Sequence, residues 1–151
     1  MGRFPVVIYA PSFSSWSWEN ADLCEYLASY GYVVIASPGM GEKSRESTHD
    51  LSGVNAQASD VSFLIGYAAS LPNTDMMKVA AIGFSWGGLA DLFAASRDNR
   101  IKALVGVPSE FGQQSTLRRL RVNSINNLQE ETLHTVRQAT RPNKWFVFCI
   151  Y

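Results

Sequence analysis

Five residues, Gly83-Phe84-Ser85-Trp86-Gly87, constrain this chain more than any other feature. The apolar run Val79-Ala80-Ala81-Ile82 before them reads as the end of a strand beginning near Lys78. Trp86 to Ser96 reads as a helix with Leu89, Leu92 and Phe93 facing inward. A serine between a strand and a helix stands on a turn so sharp that neighbouring side chains would collide. Glycine two residues before and two after relieves that crowding, and the helix aims its first amides at the hydroxyl. The pattern therefore predicts Ser85 as a nucleophile. The bland alternative is that the glycines merely allow tight packing and the serine is a filler. A dinucleotide fingerprint would need glycine where Ser85 stands, and no Gly-Lys-Ser/Thr follows to make a phosphate loop.

The rest of the pattern supplies a matching scaffold. Pro5 to Ala10 is β-branched and apolar throughout, as expected of a strand buried on both faces. Glu19 to Tyr30 places Leu23, Leu27 and Tyr30 on one helical stripe, with Gly31 as the stop. Tyr32 to Ala36 is a second strand, ending in the turn Pro38-Gly39-Met40-Gly41. Val54, Ala58, Val61, Ile65 and Ala68 recur at helical spacing and predict a helix to about Ser70. Ile101 to Val107 is a fourth strand, and Trp145 to Tyr151 resembles a fifth. Strands alternating with helices imply an α/β fold, a three-layer α/β/α sandwich around a mostly parallel sheet. At 151 residues the chain holds one domain.

Charge narrows the partners. Thirteen basic residues balance thirteen acidic ones, so no overall field recruits nucleic acid or an anionic membrane. The cluster Arg118, Arg119 and Arg121 lacks interleaved aromatics and reads as a solvated helix face. Cys24 and Cys149 lie far apart without zinc-site spacing. They are expected to be buried thiols, with a single disulfide as the alternative, and neither a metal nor another cofactor is expected. No apolar run reaches membrane-spanning length, and no signal peptide opens the chain. A cytoplasmic location is expected for the chain as written, and a secreted one if a leader is missing.

The stretch from Phe4 to about Val107 resembles the α/β-hydrolase superfamily, close to the dienelactone hydrolase and platelet-activating-factor acetylhydrolase-like serine esterases. Phe4-Pro5-Val6-Val7-Ile8-Tyr9-Ala10-Pro11 is similar to the strand before the oxyanion loop. Gly31-Tyr32-Val33-Val34-Ile35 resembles the next strand, and Gly83-Phe84-Ser85-Trp86-Gly87-Gly88 the nucleophile elbow. The resemblance implies an oxyanion hole made by the amides of Trp86 and of the Ser12-Phe13-Ser14 loop, here assigned to Phe13. Trp16 and Trp18, with Phe13 and Trp86, would line an apolar substrate pocket; ordinary packing is their other reading.

A serine hydroxyl needs a histidine to take its proton and a carboxylate to orient that histidine. The family order is serine, acid, histidine. His134 follows Ser85 and is the histidine in the right order, while His49 precedes it and reads as a solvated loop residue. Glu110, just past the fourth strand, is the candidate acid. Residues 108–151 form an atypical tail, and the family's first two strands find no counterpart before Phe4. The expectation is a truncated hydrolase domain whose second strand is a sheet edge available for self-association. Two functions follow: an esterase acting on a small ester through an acyl-enzyme at Ser85, or an inactive fragment or pseudoenzyme serving as a binding or assembly module.

Overall fold

The structure is a computed structural model that describes residues 3–107 and 146–149. In chain order the elements are β1 (Phe4–Ala10), α1 (Ala21–Ser29), β2 (Val33–Ala36), α2 (Leu51–Ala68), β3 (Thr74–Phe84), α3 (Trp86–Ala95), β4 (Ile101–Val107) and β5 (Phe146–Cys149). They build one sheet in the order β2-β1-β3-β4-β5. The first four strands are parallel, with Ile8 of β1 opposite Ile35 on one side and Ala81 on the other. β5 joins β4 antiparallel, Val147 opposite Val105. A single antiparallel edge strand on an otherwise parallel sheet is a common variation of this architecture.

Alternation of side chains assigns the two faces. Val6, Ile8 and Ala10 of β1, with Val79 and Ala81 of β3 and Leu104 of β4, share one core with α2 and α3. The residues between them, Val7 and Tyr9, point the other way. There the hydroxyl of Tyr9 accepts a hydrogen bond from Asn20 at the start of α1, which puts α1 on the opposite face. β1 is enclosed by strands on both sides and by layers above and below. All of Val6 to Ala10 is buried, as a continuous apolar run demands. β2 lies at the edge, as expected, and its four residues are half-buried.

Two element starts and the buried face of one helix show detail that the sequence pattern does not. α2 starts at Leu51, ahead of its first periodic apolar residue, because the Asp50 carboxylate accepts the Gly53 N–H at 3.0 Å and caps the helix. β3 starts at Thr74. Pro5 pairs with Asp75 and Val6 with Val79, so Met76, Met77 and Lys78 form a bulge that conceals the strand in the sequence. The buried stripe of α3 is Trp86, Gly87, Ala90, Asp91, Phe93 and Ala94, while Leu89 and Leu92 are only half-buried. Gly87, Ala90 and Ala94 sit there beside Trp86 and Phe93, all of them apolar, and Leu89 and Leu92 pack against the same core from its margin, as expected. Residues 108–145, with the Arg118, Arg119 and Arg121 cluster, fall outside the described residues. Cys24 is a half-buried free thiol, and the Cys149 side chain is outside the described set. Among the described residues no helix is long and apolar enough to cross a membrane.

Asp91 is the exception on that inner face. It is fully buried, and neither carboxylate oxygen has a hydrogen-bond partner among the described residues. Burial pushes its carboxyl well above the usual carboxylate range. Once unfolded, the same group titrates near pH ~3.9. Above that pH the folded chain holds a proton that the unfolded chain has lost, so stability falls as pH rises toward the folded-state value. Asp91→Asn keeps the shape and cannot ionise. Its urea midpoint should lie close to wild type near pH ~4 and increasingly above it toward pH ~8. A gap between the two proteins that is independent of pH would contradict this.

Candidate active site

The turn between β3 and α3 has the geometry that its glycines predict. Ser85 adopts φ 55° and ψ −112°, a region that L-residues rarely enter and that costs roughly 1–3 kcal/mol. Its own N–H donates to the Val107 carbonyl at 2.8 Å, and its carbonyl accepts the Gly88 N–H at 3.2 Å. Neither flanking glycine could carry a side chain. A Cβ at Gly83 would lie 2.3 Å from the Gly87 carbonyl carbon and the Gly88 nitrogen. One at Gly87 would lie 2.1 Å from the Ala10 carbonyl oxygen and 2.6 Å from that of Pro11. Ser85 is thereby fixed where β1, β3 and β4 end together. Trp86 opens α3, so its N–H lies outside the helix's internal ladder.

The loop after β1 faces this turn and is tied down from several sides. The Gln57 side-chain amide of α2 donates to the Pro11 carbonyl at 2.8 Å in a buried bond. Ser15 N–H closes a turn onto the Ser12 carbonyl at 3.1 Å, with Ser14 at φ 51° inside it. Gly39 N–H, from the turn after β2, donates to the Ser15 carbonyl at 2.8 Å. Phe13, at the turn's other corner, meets the Trp86 ring edge-on, centroids 5.5 Å apart.

A third ring completes the group. His49 stacks on Phe13 with centroids 3.4 Å apart and planes at 13°, and meets Trp86 edge-on at 5.4 Å. His49 is a loop residue, as expected, with ring contacts that the sequence does not show. It is exposed, but its ring is held against the residue that follows Ser85. The cap on α2 explains why: Thr48 bonds Asp50 at 2.6 Å and Asp50 bonds Gly53, so the residue between them has a fixed origin. Thr48-His49-Asp50 ahead of a helical stripe is a capping signal that could have located it.

The other candidates divide. Trp16 and Trp18 stack on each other, centroids 5.0 Å apart, and are 58% and 65% exposed. They form a pair at the loop's outer rim, separate from the trio of Phe13, His49 and Trp86. Glu110 and His134 lie outside the described residues. Among those described, no three histidine, cysteine or carboxylate side chains cluster as a metal site would require.

Residues 2–125 match the Dienelactone hydrolase family. The chain belongs to that family. It is 32% identical over 110 residues to a "Putative carboxymethylenebutenolidase" of Synechocystis sp., a match covering 64% of this chain and 45% of that protein. Among solved structures it superposes on DcsB, determined with a substrate analogue, at a TM-score of 0.61 and 27% identity, covering 95% of this chain and 47% of DcsB. The α/β hydrolase GrgF from Penicillium sp. sh18 also gives a TM-score of 0.61, at 20% identity, covering 93% of this chain and 48% of its own. This dienelactone hydrolase family chain thus has the α/β-hydrolase fold and spans less than half the length of the curated relatives it matches.

The contacts of Gly87 make a sharp test of the turn. Both atoms that an added Cβ would strike are backbone carbonyls of the neighbouring strand and loop, which cannot rotate away. Gly87→Ala should lower stability by about 1–3 kcal/mol or more in denaturant unfolding, since α3 must lift off the sheet. Gly66→Ala is a control, because its Cβ would meet only an arginine nitrogen at 4.0 Å. A Gly87→Ala protein as stable as that control would refute the geometry.

Proposed function

We propose that this chain carries the nucleophile of a carboxylic-ester hydrolase that works through an acyl-enzyme at Ser85. The observation that carries the reading is the strained Ser85 backbone between β3 and α3, with glycines that cannot be replaced on either side. Strain of this kind persists where the surrounding structure imposes it, and active sites are where it collects. The serine oxygen attacks the ester carbonyl carbon, and the carbonyl oxygen takes the negative charge. The amides of Phe13 and Trp86 receive that charge, each contributing ~3 kcal/mol to lowering the barrier. Collapse expels the alcohol, and water then releases the acid. In this reading His134 takes the serine proton and returns it to the leaving alcohol, with Glu110 orienting its ring.

The rings of Phe13, His49 and Trp86 supply an apolar wall for the acyl group, and Trp16 with Trp18 a surface for the departing alcohol. A neutral ester suits both the apolar wall and a chain with no net charge. A second reading rests on the edge of the sheet: among the described residues β2 has no strand beyond it, and it follows the exposed Tyr30 and Tyr32. An inactive chain could use that edge to pair with another copy.

A fluorophosphonate probe separates the two. Labelling should occur at Ser85, located by peptide mass spectrometry, and disappear in Ser85→Ala together with ester turnover. His134→Ala should slow labelling by at least ~100-fold if that ring is the base. A folded protein that never labels, and that elutes as a dimer in light scattering, would favour the edge-pairing module.

A further inference from the structure

One carboxylate near the site has no role in the chemistry above. Glu19 lies just ahead of α1, half-buried, and both its oxygens are turned back toward the loop after β1. One oxygen accepts the Ser12 N–H at 2.6 Å. The other accepts the hydroxyls of Ser12 and of Ser15, the latter at 2.9 Å. The Tyr9 hydroxyl, at the end of β1, approaches the first oxygen at 3.4 Å and itself accepts from the Asn20 side-chain amide at 2.6 Å. Burial, eased by the Asn20 bond and reinforced by the charge of Glu19, pushes the Tyr9 hydroxyl up to about 12. It stays a donor throughout the working range of an esterase.

These bonds bracket Phe13. Ser12 and Ser15 are the two ends of the turn that Phe13 and Ser14 occupy, and a single carboxylate grips both ends. Side-chain oxygens that hydrogen-bond an ionised acceptor are held about twice as strongly as neutral pairs. The other anchors act elsewhere: Gln57 and Gly39 hold the outer carbonyls at Pro11 and Ser15, Ser47 N–H reaches the Ser14 hydroxyl at 3.4 Å, and the Phe13 ring rests on His49 and Trp86. Glu19 alone among these holds a backbone amide inside the turn's leading edge, that of Ser12, next to the amide of Phe13.

We infer that Glu19 is a positioning residue: a carboxylate clamp that fixes the turn 12–15 and so aims the Phe13 amide at the developing oxyanion. The inference rests on the esterase reading for its catalytic consequence but not for the clamp itself. A donor displaced by a fraction of an ångström weakens transition-state binding while leaving ground-state binding almost untouched.

The test pairs kinetics with amide exchange on the full chain. Glu19→Ala should lower kcat by about 10- to 100-fold with KM within about threefold, and weaken a trifluoromethyl ketone inhibitor in parallel with kcat/KM. Glu19→Gln, which can still accept the Ser12 N–H, should recover most of that loss. Hydrogen exchange in the peptide containing residues 12–15 should accelerate in Glu19→Ala, while that in residues 83–88 stays as in wild type. Ser15→Ala removes one donor without touching the carboxylate and should give the same pattern at smaller amplitude, which covers a poorly folding Glu19→Ala. Unchanged exchange at 12–15 in both variants would overturn the clamp, as would a loss confined to KM. A wild-type protein without esterase activity, but with the exchange difference intact, would remove the esterase reading and leave the clamp standing.

Discussion

The close approach of α3 to the ends of β1 and β3 is the constraint on which the rest of the site depends. At Gly83 and Gly87 there is no space for even a methyl group, because backbone meets backbone. That contact holds Ser85 outside the ordinary φ region, at the junction of strand and helix. It also dictates what the helix can carry at its first turn, where Gly87 meets the Ala10 and Pro11 carbonyls, while further along Phe93, Leu89 and Leu92 find room against the core. The strained serine backbone and the two glycines that flank it are consequences of a single packing distance.

The other half of the site is assembled from segments distant in sequence. The loop after β1 is held by Gln57 of α2 and Gly39 of the turn after β2, and the His49 ring comes from just before the α2 cap. Gly39 allows the approach, since a Cβ there would lie 2.8 Å from the Ser12 carbonyl oxygen. The edge strand β2 is short and half-buried, yet it delivers this turn to the same end of the sheet as the elbow. Parallel strands make that convergence automatic, because all their carboxyl ends share one side.

Most of the framework was legible because it is written in local patterns. The continuous apolar run of β1, the stripe of α2 and the glycine spacing around Ser85 each report a nearby physical cause. The failures are non-local. The bulge at Met76 to Lys78 hides the start of β3, since its pairing with Pro5 and Val6 has no sequence periodicity. On α3 the inward stripe of Leu89, Leu92 and Phe93 was legible, but the closer approach at Gly87 and the burial of Asp91 were not, since both depend on the neighbouring strands. His49 looked like one more polar loop residue, as its stacking partner is far away in the chain. Glu19 was counted simply as the beginning of a helix, although it caps a loop instead.

The least favourable features of the described residues are gathered on one helix. Ser85 at its start is strained, the Trp86 indole nitrogen is buried without a hydrogen-bond partner among the described residues, and Asp91 is a buried carboxyl in the same condition. Each costs on the order of 1–3 kcal/mol. Against them stands the core shared by α2 and the sheet, where Val6, Ile8, Val54, Ile65 and Val79 are each at most 1% exposed. Full burial of side chains of this size contributes about 1.5–3 kcal/mol apiece. The balance is therefore spatially divided: β1, β3 and α2 stabilise, while α3 carries the unfavourable terms. A helix held in place by its neighbours can present a strained serine that it could not maintain by itself. That division lets the turn at Ser85 be rigid without being locally stable.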